Sequence, residues 1–210
     1  MPAALSRSSI AKRISDGDLV ISPILDREQL GPSSVDLRMG TVALMSRAGA
    51  QSHVDPVDYL PGTNAPHADA QLRQQKHERV DIPFTRSFLL HPGSLILAPT
   101  LEWVVIPPNL QGVVTARSSW AREGLNIATA TIVNPGYRGI ITLELANFGE
   151  IPIRLYPGLR IAQIAFYSLE QRDEQEDAIG LQGQFDMSFE PKAGELSKAD
   201  EPFIKVARRV

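Results

Sequence analysis

The chain contains no cysteine. Disulfides are therefore impossible, and so is any zinc or iron–sulfur site built on thiolates. There is no basic excess either: 21 Lys and Arg stand against 24 Asp and Glu, a formal net charge of −3. That argues against a long nucleic-acid partner, which usually needs a basic surface. A small anion is a different matter, because a local pocket can be positive on an acidic protein. No apolar run approaches the roughly 20 residues of a membrane span. Residues 1–19 lack the uninterrupted apolar stretch of a secretory signal. These absences read as a cytoplasmic protein that engages neither membrane nor nucleic acid. Common catalytic fingerprints are missing as well: there is no HExxH, P-loop, dinucleotide-binding glycine pattern or GxSxG. The four histidines, His53, His67, His77 and His91, lack metal-ligand spacing, and three of them lie in one polar stretch.

What is present is the composition of one soluble domain. A chain of 210 residues, 43% hydrophobic and 21% charged, is long enough to bury a sizeable core. Residues 6–15, SRSSIAKRIS, predict a short amphipathic helix with Ser8 or Ser9 as cap and Ile10 and Ile14 on one face. A strand broken by Pro23 follows. Next, Val35, Leu37 and Met39 alternate with Asp36, Arg38 and Gly40, the pattern of a half-buried strand. Residues 46–80, rich in Ala, Gln, Pro, Gly and His, read as a long excursion that is partly ordered at best. Beyond it, short β-branched runs alternate with turns: SFLLH, SLILAPT, EWVVIP, GVVTARS, NIATATIV, GIITLELAN, IPIRLY and RIAQIAFYSL. Three Pro-Gly pairs, at 92–93, 135–136 and 157–158, predict type II turns. Many short strands so punctuated argue an all-β sandwich or jelly-roll-like barrel. The charged, glutamine-rich tail from about residue 170 to 210 would lie over this barrel or over a neighbouring subunit.

Three stretches carry candidate chemistry. In IITLELAN, Ile141, Leu143 and Leu145 point one way while Thr142, Glu144 and Ala146 point the other. Glu144 is either a solvated carboxylate or a general base held on a rigid strand. In ARSSWAREGL, two arginines five residues apart with serines between them suit phosphate, since guanidinium groups make forked, charge-assisted bonds. The same segment also reads as a solvated turn with Trp120 as packing anchor. In IVNPGYRG, Asn134 starts a turn, and Tyr137 is either a packing residue or a flat platform under a sugar ring.

Taken together, these motifs resemble the dCTP deaminases, a branch of the dUTPase-like trimeric superfamily. The resemblance runs from the N-terminal helix through PSSVDLRMG, HPGSLILAPTLEWVVIP, ARSSWAREGL, NPGYRGIITLELAN and YPGLRIAQIAF to QGQ at residues 182–184. It implies one distorted β-barrel or jelly-roll domain with a short N-terminal helix and a few minor helices. It also implies a homotrimer whose active sites are shared between subunits. Arg117, Ser118, Ser119, Ala121 and Arg122 would line the nucleotide site. Thr129 and Ala130 would read the pyrimidine edge, and Tyr137 would lie under the deoxyribose and reject a 2′-hydroxyl. Asn134 would meet the sugar, and Thr142 and Leu143 would flank Glu144. Gln182 and Gln184 would belong to a C-terminal lid. Glu144, with Arg122 and Ser118 orienting a water, would deaminate dCTP to dUTP and ammonia. Magnesium would enter with the triphosphate and zinc would play no part, in keeping with the absence of cysteine. dTTP is a candidate inhibitor, though the sequence itself carries no sign of that regulation.

Some positions depart from the family pattern. Asn134 stands where an aspartate is usual before Pro-Gly. In the related dUTPases that aspartate activates the water attacking the phosphates, so little diphosphatase activity is expected here. Ile127 and Ala128 replace the expected histidine region, and Gly180 and Leu181 precede Gln182 where lysine and tyrosine are usual. Two alternatives therefore stand beside a simple dCTP deaminase. One is a dUTP diphosphatase or bifunctional enzyme; the other is a non-catalytic nucleotide-binding relative.

Overall fold

Ser6, rather than Ser8 or Ser9, starts the first helix, α1 (Arg7–Asp16). Its backbone is extended, and its hydroxyl accepts from the Ser9 amide at 3.3 Å. The serines one turn later fall inside the helix. Gly17, at φ 82°, closes α1 in the left-handed conformation. Ile10 is the residue of α1 that is fully buried. The computed structural model describes residues 3–46, 77–127, 131–170 and 187–191.

The remainder is strand. In chain order these are β1 (Val20–Ser22), β2 (Ser34–Arg38), β3 (Val42–Ser46), β4 (His77–Asp81), β5 (Phe88–Leu90), β6 (Leu95–Val105), β7 (Leu110–Ala116), β8 (Leu125–Ile127), β9 (Ile132–Val133), β10 (Arg138–Asn147), β11 (Ile153–Leu155) and β12 (Arg160–Ser168). A 3-10 turn, Arg27–Gln29, precedes β2, and a short helix, α2 (Ser118–Arg122), follows β7. The described strands divide among three antiparallel sheets. One is six-stranded, in the order β4-β3-β6-β10-β8 with β1 also on β6; one is four-stranded, β2-β12-β7-β9; the third pairs β11 with β5. Leu37, Ile164 and Phe166 of one large sheet share a single core with Ile96, Leu125, Leu143 and Leu145 of the other. The all-β expectation holds, as a layered arrangement of sheets. Gly93, Gly136 and Gly158 all carry φ between 72° and 88°, as type II turns require.

Several elements differ from their sequence reading. β2 is buried on both faces, because Asp36 and Arg38 find ionic partners there instead of water. Glu102 of β6 is wholly buried and takes Arg38 Nε at 2.7 Å, the Arg38 amide at 2.9 Å and Gln29 Nε2 at 2.9 Å. SLILAPT and EWVVIP merge into one strand, β6, with an irregularity in its pairing. NIATATIV instead divides between β8 and β9, which lie in different sheets. The excursion's last residues form β4, which pairs with β3 from Val42 against Asp81 to Ser46 against His77. Residues 47–76 lie outside the described residues.

Candidate active site

The turn after β7 is held from three sides. Arg117 ends the strand, and its amide donates to the Ile161 carbonyl of β12 at 3.0 Å. Trp120 Nε1 donates to the Arg160 carbonyl at 3.0 Å, which pins α2 against the start of β12. After α2, Gly124 adopts φ +90°; a Cβ there would lie 2.6 Å from the Gly149 nitrogen. Its carbonyl accepts from the Phe148 amide at 2.9 Å. Asn147, fully buried at the end of β10, holds the same corner. Its Nδ2 donates to the carbonyls of Leu90 and Ile151, and its Oδ1 accepts from the Gly149 amide. The turn is therefore docked on the end of β10, three residues beyond Glu144.

This scaffold leaves Ser118, Ser119, Ala121 and Arg122 exposed, with Arg117 half-buried. Arg117 is not alone. Its Nε lies 3.3 Å from Asp36 Oδ1, and Arg160 Nη1 lies 3.7 Å from Asp36 Oδ2. Two guanidinium groups thus share one carboxylate, and Asp26 and Glu28 approach Arg160 only at 4.0 and 3.9 Å. Burial pushes the Asp36 carboxyl above its ordinary pKa; the charges of Arg117 and Arg160 pull it down, and Asp26 pushes it up again. An anion at α2 would meet these two guanidinium groups already shared among carboxylates, Asp36 nearest and Asp26 and Glu28 farther off. Asp36 and Arg160 were not singled out in the sequence, because neither has a local pattern that betrays a partner so far along the chain.

On β10 the alternation holds. Leu143 is buried in the core, while Thr142 and Glu144 are half-buried on the opposite face. The Asn134–Tyr137 turn joins β9 of one sheet to β10 of the other, and the Tyr137 amide donates to the Asn134 carbonyl at 3.2 Å. Asn134 is exposed. The Tyr137 hydroxyl donates to the Ile140 carbonyl, which holds the ring against the start of β10. Gly139 makes room for it: a Cβ there would sit 3.1 Å from the Tyr137 hydroxyl and equally close to the Ser188 nitrogen. Thr129, Ala130, Gln182 and Gln184 lie outside the described residues.

The arrangement offers hydroxyl and guanidinium donors on one exposed helical turn and a carboxylate on a rigid strand. The fold is all-β, with the candidate donors on α2 and the candidate carboxylate on β10. Residues 4–169 match the dCTP deaminase-like family, and the chain belongs to it. A relative from Dictyoglomus thermophilum described as "dCTP deaminase, dUMP-forming" is 40% identical over 172 residues, covering 81% of this chain and 82% of the relative. A dCTP deaminase from Halorubrum lacusprofundi is 34% identical over 205 residues, covering 94% of this chain and 93% of its own. Among solved structures, the 2′-deoxycytidine 5′-triphosphate deaminase from Agrobacterium tumefaciens superposes with a TM-score of 0.59 at 24% identity. That match covers 83% of this chain and 51% of the other, and it establishes the fold.

Proposed function

We propose that the protein deaminates dCTP hydrolytically, with Glu144 as the proton carrier. The observation that carries this reading is the family match over residues 4–169, which takes in Ser118, Arg122 and Glu144 together. Water is a weak nucleophile at neutral pH, and an amide anion cannot leave. Glu144 accepts a proton as the water oxygen bonds to ring carbon 4, and passes that proton to ring nitrogen 3. The second water proton then moves through Glu144 to the exocyclic nitrogen. The carbon–nitrogen bond breaks, ammonia departs, and carbon 4 keeps the oxygen as a carbonyl. Ser118 and Arg122 orient the water. Arg117 and Ser119 take phosphate oxygens through charge-assisted bonds, with Ala121 beside them. Thr129 and Ala130 read the base, Asn134 and Tyr137 face the sugar, Thr142 and Leu143 flank the carboxylate, and Gln182 and Gln184 close on the nucleotide. Among the described residues no group of three or more His, Asp or Glu side chains could hold a metal ion. Magnesium is assigned to the triphosphate, where it would neutralise charge during binding.

A second reading adds cleavage of the phosphates, giving dUMP. The description of the Dictyoglomus relative favours it. Asn134 opposes it, because an amide cannot serve as the base for a water attacking phosphorus. Incubation with dCTP and magnesium, with ammonia and pyrophosphate measured together, separates the two: ammonia alone fits the first reading and equal amounts of both fit the second. Glu144→Gln keeps the side chain's shape and loses the proton acceptor. It should abolish ammonia release while dCTP still binds, as followed by calorimetry. Turnover at the wild-type rate in this variant would overturn the assignment of Glu144.

A further inference from the structure

The strand that bears Glu144 changes register just ahead of it. Ile140 pairs with Trp103 of β6, but Thr142 pairs with Pro99, so Ile141 faces three residues, Thr100, Leu101 and Glu102. Bulges of this kind bend a strand, sharpen its twist and re-aim the side chains that follow. At the same place β6 meets β2, through the Met39–Thr100 bridge and the Gly40 amide, which donates to the Pro99 carbonyl at 2.7 Å. Opposite the excess residues, the Ile141 amide takes a side-chain acceptor. It donates to Thr100 Oγ1 at 3.0 Å, and that hydroxyl donates to the Glu102 carbonyl at 2.8 Å. Thr100 is 2% exposed, so water has little access to either bond.

We propose that Thr100 is a positioning residue for Glu144. One hydroxyl acts in both senses at the bend: it satisfies the orphaned amide of β10 and fastens the excess loop of β6. It thereby sets the line along which Thr142, Leu143 and Glu144 leave the bulge. The other end of the loop is anchored separately, where the Glu102 carboxylate takes Arg38 and Gln29. A proton carrier must sit within a fraction of an ångström of its partner atoms, and small displacements of such a group lower turnover far more than they lower binding. No local sequence pattern identifies Thr100, since its partner is 41 residues away.

This inference rests on the assignment of Glu144, and the experiment separates the two. Thr100→Val keeps the volume and loses the hydroxyl; Thr100→Ser keeps the hydroxyl. Steady-state kinetics with dCTP should find kcat for Thr100→Val lowered by about tenfold or more, with KM within about twofold of wild type. The acidic limb of its pH–kcat profile should also be displaced. Thr100→Ser should restore both. Rates are expressed per folded protein, measured by circular dichroism. If Thr100→Val does not fold, Thr100→Ala takes its place, because the vacated space admits a water; the same kcat loss at unchanged KM is expected. A kcat equal to wild type in the hydroxyl-free variant, or a Thr100→Ser variant as slow as it, overturns the proposal. An active Glu144→Gln overturns the assignment of Glu144 itself. An inactive Glu144→Gln beside a fully active Thr100→Val overturns only the role of Thr100.

Discussion

A carboxylate between two guanidinium groups would ordinarily titrate well into acid. Asp36 does the opposite: burial outweighs the attraction of Arg117 and Arg160, and its pKa lies above the ordinary aspartate value. The sign of the linkage follows. A carboxyl whose folded pKa is raised binds its proton more tightly in the native state. Its favourable contribution is complete below about pH 3.8 and is lost as pH rises through the folded value. The stability of wild type relative to Asp36→Asn should therefore decline as pH climbs from below 4 towards neutrality. Urea unfolding of both proteins across that range checks this; a difference that grows with pH would mean that the ion pairs dominate. Arg117 was legible as an anion-binding candidate from its serine neighbours. Its tether was not, because Asp36 reads locally as the polar half of an alternating strand. Only the fold, by laying β2, β7 and β12 side by side, reveals that this polar face is shared with two arginines.

At the scale of elements, the turn that carries α2 depends on a single backbone geometry. Gly124 has φ +90° and sits against the Gly149 backbone, so any side chain there brings both strain and a clash. Gly124→Ala should cost about 1–3 kcal/mol from the conformation alone. It should also displace α2 from the end of β10, raising KM for dCTP and lowering the melting temperature. Differential scanning fluorimetry beside steady-state kinetics tests this; wild-type KM and melting temperature together would refute it. The strand content itself was readable, because β-branched alternation and Pro-Gly turns are local signals. What was not readable was where strands merge or part. SLILAPT and EWVVIP read as two runs, yet the bulge at Thr100–Glu102 joins them within β6. NIATATIV looked like one strand, yet its two ends pair with different sheets. Sheet partnership is set by contacts between residues far apart in sequence, which periodicity does not encode.

At the scale of the molecule, the single chain leaves apolar groups in water. Phe148, Ile151 and Phe84 are 71%, 77% and 63% exposed, and Leu95 and Ile132 are nearly half exposed or more. Such side chains on a protein with a full core ask for a covering surface, and a closed ring of identical subunits is one form symmetry permits. The homotrimer proposed from the motifs would offer such a surface, and it makes a sharper statement about the site. If one subunit supplies Glu144 and its neighbour supplies Arg122, two dead variants can repair each other. Glu144→Gln and Arg122→Ala should each be inactive alone. Mixed in equal amounts, unfolded and refolded together, they assemble at random. A site is then whole when its Glu144 comes from an Arg122→Ala chain and its Arg122 from a Glu144→Gln chain, which holds for about a quarter of the sites. Ammonia release should recover to about that fraction of wild type after co-refolding, and stay at background when the two proteins are refolded separately and then combined. If both residues of a site come from the same chain, no mixture regains activity, and the shared-site arrangement is wrong.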